Sequence, residues 1–296
     1  MILDQKVAVI TGGSRGLGFV IAQAYAREGA TVVIASRSST SVEQAVKAIQ
    51  SEGGKASGMS CDVAKLEHVR ALASHAIAKF ESLDIWINNA GLSCPYGPTI
   101  SIPPDKITNL INTNIIGVYN GSLVAMQYFV SQKRGKLINL IGRGAQQPVA
   151  MQNAYASSKA WVRHFTLALA KETKMSGVGV YLFNPGLVRT DMMHNLHFIQ
   201  GYESQLKTFK TIAKLWSTDP NIPARKALWL ASSATDSRTG LEVNLIGPKA
   251  ILSGVARQAI RLILKRPEPQ LDIEAITEKP AFVTDSPKQK DKLDVA

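Results

Sequence analysis

Short apolar runs alternate with longer helix-like stretches along the first 250 residues of this chain. The runs are rich in β-branched residues and lie at 7–10, 31–34, 83–87, 136–141 and 179–183, with a weaker run at 242–246. The helix-like stretches lie at 16–28, 41–52, 65–80, 104–131 and 154–176. Strands that are apolar throughout are buried on both faces, as in a parallel sheet covered by helices. The alternation therefore predicts an α/β fold with residues 1–250 in a single domain.

Composition and charge argue against several other classes of protein. The 296 residues are 45% hydrophobic, enough for a full core, and no apolar stretch of about 18 residues appears that would span a membrane. The cysteines, Cys61 and Cys94, have neither disulfide-framework nor metal-ligand spacing, so we expect no metal and a reducing, cytoplasmic location. The net charge of +12 comes without a nucleic-acid-binding motif, so we expect no nucleic-acid partner.

The composition changes after residue 250. Residues 251–266 contain four basic and no acidic residues, and a helix would place Arg257, Arg261 and Lys265 opposite an apolar face. Two roles stay open for this basic amphipathic helix: docking on the domain or a second subunit, and peripheral contact with a membrane. Residues 267–296 contain four prolines and mixed charges, which predicts a flexible tail.

A glycine-rich turn follows the first apolar run. Gly12, Gly16 and Gly18 lie in TGGSRGLG, between a predicted strand and a predicted helix. Glycines at such a turn let backbone N–H groups approach a pyrophosphate at the helix N-terminus. No Lys-Ser or Lys-Thr follows, so a nucleoside-triphosphatase loop does not fit. The turn is typical of a dinucleotide site, and an ordinary strand–helix turn is the alternative.

The end of the second apolar run indicates which dinucleotide would bind. Ser36 and Arg37 stand where an NAD-binding protein usually has an acidic residue for the ribose 2′-hydroxyl. A guanidinium suits a 2′-phosphate, and Arg15 in the first turn adds a second positive charge. We therefore predict NADP(H) as the cofactor; the alternative is that both arginines are ordinary solvated residues.

Tyr155 and Lys159 lie one turn apart on a predicted helix. A tyrosine hydroxyl has a pKa near 10, and a neighbouring ammonium is expected to lower it. The hydroxyl would then exchange a proton with a substrate alcohol or carbonyl near neutral pH. By itself the pair is also compatible with an ordinary surface helix.

In combination these motifs resemble the short-chain dehydrogenase/reductase family. The matching segments are TGGSRGLG at 11–18, DV at 62–63, NNAG at 88–91, NIIG at 114–117, YASSK at 155–159 and NPGLVRT at 184–190. They follow the family's order over about residues 3–247. The resemblance implies one Rossmann-type, doubly wound domain that transfers hydride to or from a nicotinamide, as a homodimer or homotetramer.

The resemblance also implies roles for individual residues. Tyr155 would be the acid/base, Lys159 its partner and a ribose ligand, and Asn114 the holder of a water that links Lys159 to solvent. The expected cofactor-binding residues are Gly12, Ser14, Arg15, Gly16, Leu17, Gly18, Ser36, Arg37, Asp62, Val63, Asn89, Ala90, Gly91, Tyr155, Lys159, Pro185, Gly186, Val188 and Thr190. The alternative is that Asn89 and Asn114 close backbone turns and Thr190 caps a helix.

The chain departs from the family at one catalytic position. The family usually has a serine about 13 residues before the tyrosine, and Gly142 stands there. Backbone N–H groups, Arg143 or Gln147 are candidates to replace the serine hydroxyl, and a weakly active or non-catalytic NADP-binding regulator is the alternative. The pattern N-x-x-G-x-G at 139–144 is similar to the chlorophyll b reductase branch of the family.

Residues 191–220 are predicted to form a lid over the substrate. Apolar residues dominate this segment, interspersed with His194, His197 and lysines. An apolar lid can exclude water from a hydride-transfer site and fit an apolar molecule, while packing on the core is the alternative. The resulting hypothesis is an NADP(H)-dependent oxidoreductase that interconverts a carbonyl and an alcohol on a small, apolar substrate.

Overall fold

The structure, a computed structural model, describes residues 1–246, Leu264 and residues 273–282. Its strands are β1 Val7–Thr11, β2 Thr31–Ser36, β3 Lys55–Ser60, β4 Ile85–Asn88, β5 Lys136–Leu140, β6 Gly179–Asn184, β7 Asn195–Ile199, β8 Leu241–Asn244 and β9 Glu274–Glu278. Its α-helices are α1 Gly16–Arg27, α2 Ser39–Ser51, α3 Leu66–Phe80, α4 Pro104–Ile111, α5 Gly117–Gln132, α6 Asn153–Glu172, α7 Asp191–His194, α8 Gln205–Trp216 and α9 Asn221–Ala231.

The core is a parallel sheet with helices on both faces. Within the described residues it has seven strands, in the order β3-β2-β1-β4-β5-β6-β8. Alternate residues of each strand face opposite sides. Ala8 and Ile10 of β1 therefore pack with α1, α2 and α9, whereas Val7 and Val9 pack with α3 and α5. The predicted α/β, Rossmann-type doubly wound fold is confirmed.

The strand order reverses at β1, which pairs with β2 on one side and with β4 on the other. In open parallel sheets a crevice forms at the carboxyl ends of the strands beside such a reversal. The turn after β1 and the segment after β4 both reach this crevice. The topology therefore places the glycine-rich turn and the NNAG motif side by side.

Two elements differ from the sequence-based prediction. The strand β3 has no apolar run, because it lies at the edge of the sheet and its end residues Lys55 and Ser60 are exposed. The stretch predicted as one helix at 104–131 is divided by a π-helical turn at Asn112–Ile116. Such turns are frequent at functional sites, and this one contains Asn114.

The C-terminal region differs as well. The predicted basic helix at 251–266 lies outside the described residues, apart from Leu264. Within the predicted flexible tail, however, β9 pairs in parallel with β7, and Ile273 is buried among residues of the lid. The burial of Ile273 and the backbone pairing together explain why this part of the tail takes up a strand. Among the described residues, no helix has both the length and the apolar character that crossing a membrane requires.

Candidate functional site

The turn between β1 and α1 lies in the crevice and contacts the segment after β4. Gly12 and Gly16 have φ angles of +64° and +56°, which favour glycine. A Cβ on Gly12 would lie 2.8 Å from Cα of Ala90, and a Cβ on Gly18 would collide with the Gly12 carbonyl oxygen. The turn therefore packs backbone against backbone, with Ser14, Arg15 and Leu17 completing it and the Arg15 side chain exposed.

Asn89 holds this turn in place. Its backbone N–H donates to Oγ1 of Thr11 at 3.1 Å, and its Nδ2 donates to the carbonyl oxygens of Thr11 and Gly12, each at 3.0 Å. The N–H of Ala90 donates to the same threonine hydroxyl at 3.2 Å. The Asn89 side chain thus closes a backbone turn, which is the role that the sequence analysis gave as the alternative to cofactor binding.

Three further segments end at the same edge of the sheet. They are Ser36 and Arg37 at the end of β2, Asp62 and Val63 after β3, and Pro185, Gly186, Val188 and Thr190 after β6. Thr190 contacts the glycine-rich turn, since its Cβ lies 3.5 Å from where a Cβ on Gly16 would be. The structure therefore brings together the segments that were expected to bind the cofactor.

The residues in the crevice fit a nicotinamide dinucleotide. Any side chain at Gly12 or Gly18 would collide with neighbouring atoms. These two positions therefore place no side chain over the backbone N–H groups at the N-terminus of α1. Bare N–H groups at a helix N-terminus attract a phosphate. Arg15 and Arg37 are exposed in two of the segments that meet here. This donor set suits a phosphorylated dinucleotide.

Asn114 is fully buried behind the crevice and links two elements. Its Oδ1 accepts from the N–H of Leu92 at 2.8 Å, and its Nδ2 donates to the Leu92 carbonyl at 2.9 Å and to Oγ of Ser158 at 3.1 Å. A Cβ on Gly91 would lie 3.5 Å from the same Oδ1 and 3.7 Å from Nζ of Lys159. Asn114 therefore fixes the loop after β4 against α6, close to the Lys159 ammonium.

Tyr155 and Lys159 lie one turn apart on α6. Nζ of Lys159 is 5.6 Å from the centroid of the Tyr155 ring and donates to the Leu140 carbonyl at 3.3 Å. Burial raises the pKa of Tyr155 to about 12, with a smaller contribution from Tyr96, and burial lowers the pKa of Lys159 to about 8. The expectation of a pKa below 10 for Tyr155 is therefore wrong here, because burial disfavours the charged phenolate. Tyr155 is a protonated phenol at neutral pH, which suits a proton donor.

Gly142 lies directly against this phenol. A Cβ at this position would lie 2.6 Å from Oη of Tyr155, so the hydroxyl occupies the room that a serine side chain would need. Arg143 and Gln147, which were candidates to replace the serine, are both exposed. A side chain at position 142 would therefore require the Tyr155 hydroxyl to shift.

Apolar residues surround the phenol and form the lid. One cluster contains Cys94, Ile102, Leu110 and Ile199, and Tyr155 packs against it. Burial raises the pKa of the Cys94 thiol to about 11, as expected for an apolar filler. The predicted lid consists of α7, β7 and α8, whose apolar cluster includes Phe198. The space next to Tyr155 is therefore bordered by apolar side chains.

The strand β9 joins the lid to α4 through one carboxylate. Oε1 of Glu278 lies 2.6 Å from Nδ1 of His197 on β7 and accepts from Nζ of Lys106 on α4 at 3.1 Å. The sequence analysis did not identify Glu278, because it lies in the segment predicted to be a flexible tail and no local sequence signal marks it.

Comparison with known proteins gives three kinds of match. Residues 6–198 match the family model described as short chain dehydrogenase. A probable chlorophyll(ide) b reductase of Oryza sativa subsp. japonica is 35% identical over 204 residues, which is 62% of this chain and 40% of the rice protein. The chain therefore spans only about two fifths of that relative. The 3beta-hydroxysteroid dehydrogenase 1 of Eggerthella lenta is 32% identical over 254 residues, covering 85% of this chain and 96% of that protein.

A solved structure gives a similar result. The 3-ketoacyl-(acyl-carrier-protein) reductase of Brucella melitensis, complexed with NADH, superposes with a TM-score of 0.73 and 26% identity. The match covers 84% of this chain and all of the other.

Proposed function

The chain belongs to the short-chain dehydrogenase family, whose members are oxidoreductases that use a nicotinamide cofactor. From that premise we propose that it is an NADP(H)-dependent enzyme that interconverts a carbonyl and an alcohol on an apolar substrate. The observation that carries the proposal is the position of the half-buried Tyr155 phenol, one helical turn from Lys159 and against the apolar cluster of Cys94, at the edge of the sheet where the glycine-rich turn lies.

The arginines support the choice of NADP(H). Arg15 and Arg37 are exposed at the ends of β1 and β2, where a 2′-phosphate would add negative charge. Among the described residues, no acidic side chain lies at the end of β2, where a 2′-hydroxyl would need an acceptor. Gly12, Gly16 and the N-terminus of α1 would hold the pyrophosphate.

The chemistry is divided between the cofactor and Tyr155. A nicotinamide bound in the crevice would supply the hydride for the carbonyl carbon, or take one from the alcohol carbon in the reverse direction. Tyr155 gives its proton to the carbonyl oxygen as the alcohol forms, and takes one back in the reverse direction. Lys159 keeps a positive charge beside the phenol at neutral pH, since its pKa is about 8, and this charge stabilises the phenolate that proton transfer leaves.

We propose an apolar substrate because the side chains that border the space next to Tyr155 are apolar. Cys94 and Ile199 pack against Tyr155, and Phe198 lies in the lid cluster next to them. Such walls favour an apolar molecule and exclude water around the reacting carbon. The names of the relatives suggest a 3-ketosteroid and chlorophyllide b as test substrates, and decanal adds a simple apolar aldehyde to this panel.

The direct test is NADPH oxidation with this panel by the wild type and by Tyr155→Phe. We expect turnover of at least one carbonyl in the wild type and a loss of about 10²–10⁴-fold in the variant, because the proton donor is gone. The dissociation constant for NADPH is measured in parallel, to show that the variant is still saturated with cofactor in the assay. Equal turnover in the variant would remove Tyr155 from its assigned role.

A second candidate function is an NADP(H)-binding regulator without turnover. Gly142 favours it, since the position provides no hydroxyl for the substrate oxygen. Tight NADPH binding combined with no turnover on the whole panel would support this candidate and contradict the first.

The assembly and location are also proposals. We propose a homodimer or homotetramer by analogy with the family, and a cytoplasmic location because Cys61 and Cys94 have no disulfide-framework spacing. Sedimentation velocity of the full chain measures the assembly, and a monomer at micromolar concentration would contradict it.

A further inference from the structure

Residues 273–282, near the C-terminus, run along the lid and reach the turn before α4. The strand β9 within this segment pairs in parallel with β7 along its whole length. Just beyond β7, the N–H of Gln200 donates to the Glu278 carbonyl at 2.9 Å. Further on, the N–H of Ala281 donates to the Ser101 carbonyl, shortly before α4, also at 2.9 Å. Backbone hydrogen bonds therefore connect this segment both to the lid and to the region of α4.

The Glu278 side chain connects the same two elements. Its Oε1 lies 2.6 Å from Nδ1 of His197 on β7 and accepts from Nζ of Lys106 on α4 at 3.1 Å. Only 15% of the Glu278 side chain is exposed, so water and salt screen these contacts less than at an open surface. The other carboxylate of β9, on Glu274, is exposed and forms no ion pair within the described part of the chain. The two carboxylates of β9 thus differ in what they contact.

His197 and Glu278 lie beside an apolar wall, by which we mean the cluster of Cys94, Ile102, Leu110 and Ile199. His197 and Ile199 are two residues apart on β7, so their side chains share one face, and the pairing register sets Glu278 next to Ile199. Ile199 is buried in this wall, and Tyr155 packs against it. Any movement of β7 away from α4 would therefore displace a side chain that borders the space next to Tyr155.

The strand β7 has hydrogen-bond partners along both edges. On one edge, the N–H of Tyr96 donates to the His197 carbonyl at 2.8 Å, and the N–H of Ile199 donates to the Tyr96 carbonyl at 2.9 Å. The strand β9 occupies the other edge. The fit on the first side is tight, since a Cβ on Gly97 would lie 2.6 Å from Cγ1 of Ile199. The position of Ile199 therefore depends on β9 and its contacts keeping β7 in place.

We infer that Glu278 is a positioning residue for substrate selection: through His197 and Lys106 it holds β7 against α4, so that Ile199 keeps its place in the apolar wall. The inference rests on the proposed oxidoreductase function and specifies how its site selects substrates. A long apolar chain buries more methylene groups against the wall than a short chain does. The wall in its observed position therefore favours long apolar substrates, and loss of the Glu278 contacts weakens that preference.

The test compares Glu278→Ala with Glu274→Ala, which removes the exposed carboxylate on the same face of the same strand. Values of kcat and KM are measured with NADPH for decanal and for butanal. We expect the KM for decanal to rise about tenfold in Glu278→Ala, which corresponds to losing the contacts of about two methylene groups. The KM for butanal and both kcat values should change by less than about threefold. Glu274→Ala should match the wild type.

A double variant and amide exchange distinguish positioning from a general loss of stability. Because the Glu278 side chain reaches β7 through His197, Glu278→Ala/His197→Ala should have the same KM for decanal as either single variant. Hydrogen–deuterium exchange of β7 should be about tenfold faster in Glu278→Ala than in the wild type, while exchange of the core strand β1 should stay the same. Multiplied effects in the double variant, or unchanged exchange of β7, would overturn the inference.

The outcomes also separate this inference from the proposed function. If Tyr155→Phe is inactive but Glu278→Ala keeps the wild-type KM for decanal, the inference is wrong and the proposed function stands. If the wild type reduces no carbonyl, the proposed function fails. The calorimetric affinity of the NADPH complex for decanamide, a carbonyl compound that the enzyme is not expected to reduce, then replaces KM. Equal affinity in the wild type and Glu278→Ala, or no binding by the wild type, would overturn the inference too.

Discussion

Replacing Lys159 by methionine is expected to stabilise the cofactor-free protein at pH 7 while abolishing turnover. Only 6% of Lys159 is exposed, and burial lowers the pKa of its ammonium from an ordinary 10.5 to about 8. At 1.36 kcal/mol for each pH unit, this difference corresponds to about 3 kcal/mol by which the charged form disfavours folding. Methionine removes that cost, and the Leu140 carbonyl loses a donor worth about 1 kcal/mol. The net expectation is a gain of about 2 kcal/mol.

The pH dependence follows from the same pKa. Below pH 8 both the native and the unfolded wild type carry the proton, so the cost is present in full. Between pH 8 and 10.5 only the unfolded state stays protonated, so the stability of the wild type rises with pH. The advantage of the methionine variant should therefore shrink by about 2 kcal/mol between pH 8 and about 9.5.

Urea unfolding of the two proteins at several pH values measures this difference. Lys171→Met is the control, because Lys171 is exposed on the same helix; its substitution should change the free energy of unfolding by less than about 1 kcal/mol at each pH. A Lys159→Met variant that is no more stable than the wild type at pH 7, or whose advantage does not change with pH, would refute the reasoning. A Lys159→Met variant that is more stable than the wild type at pH 7 would show that the Lys159 ammonium serves function although it lowers the stability of the fold.

Two further predictions concern single positions. Gly142→Ser and Gly142→Ala should both lose about 10²-fold in kcat/KM, because either Cβ displaces the Tyr155 hydroxyl from its position; a serine variant more active than the wild type would contradict this. Arg37→Asp should weaken NADPH binding about tenfold or more relative to NADH, because it replaces a positive charge near the 2′-phosphate by a negative one; a fluorescence titration that finds the NADPH-to-NADH affinity ratio unchanged would contradict it.

The buried part of the fold could be predicted from the sequence because its signal is local. Strands such as β1 and β6 are covered on both faces, so they appear as continuous apolar runs. The edge strand β3 has no such run, and its sequence KASGMS resembles a loop. The strand β9 forms through pairing with β7, which lies about 80 residues earlier in the chain. No local sequence pattern indicates such a long-range contact.

Some features of the candidate site could likewise be predicted from the sequence, and others could not. Motif residues such as Gly12 and Asn89 could be placed together because the carboxyl ends of parallel strands share an edge. The protonation of Tyr155 could not, since it depends on how much water the fold removes from the phenol. The contact between Glu278 and His197 forms only through the pairing of β9 with β7, so the sequence did not indicate it.

The central claim is that this chain moves a hydride to a carbonyl whose oxygen takes the Tyr155 proton. The most direct measurement is mass spectrometry of the alcohol formed from NADPH deuterated at the transferable position of the nicotinamide, for the wild type and for Tyr155→Phe. The account predicts one deuterium on the former carbonyl carbon in the wild-type product and almost no product from the variant. Product without deuterium, or equal labelled product from both proteins, would contradict it.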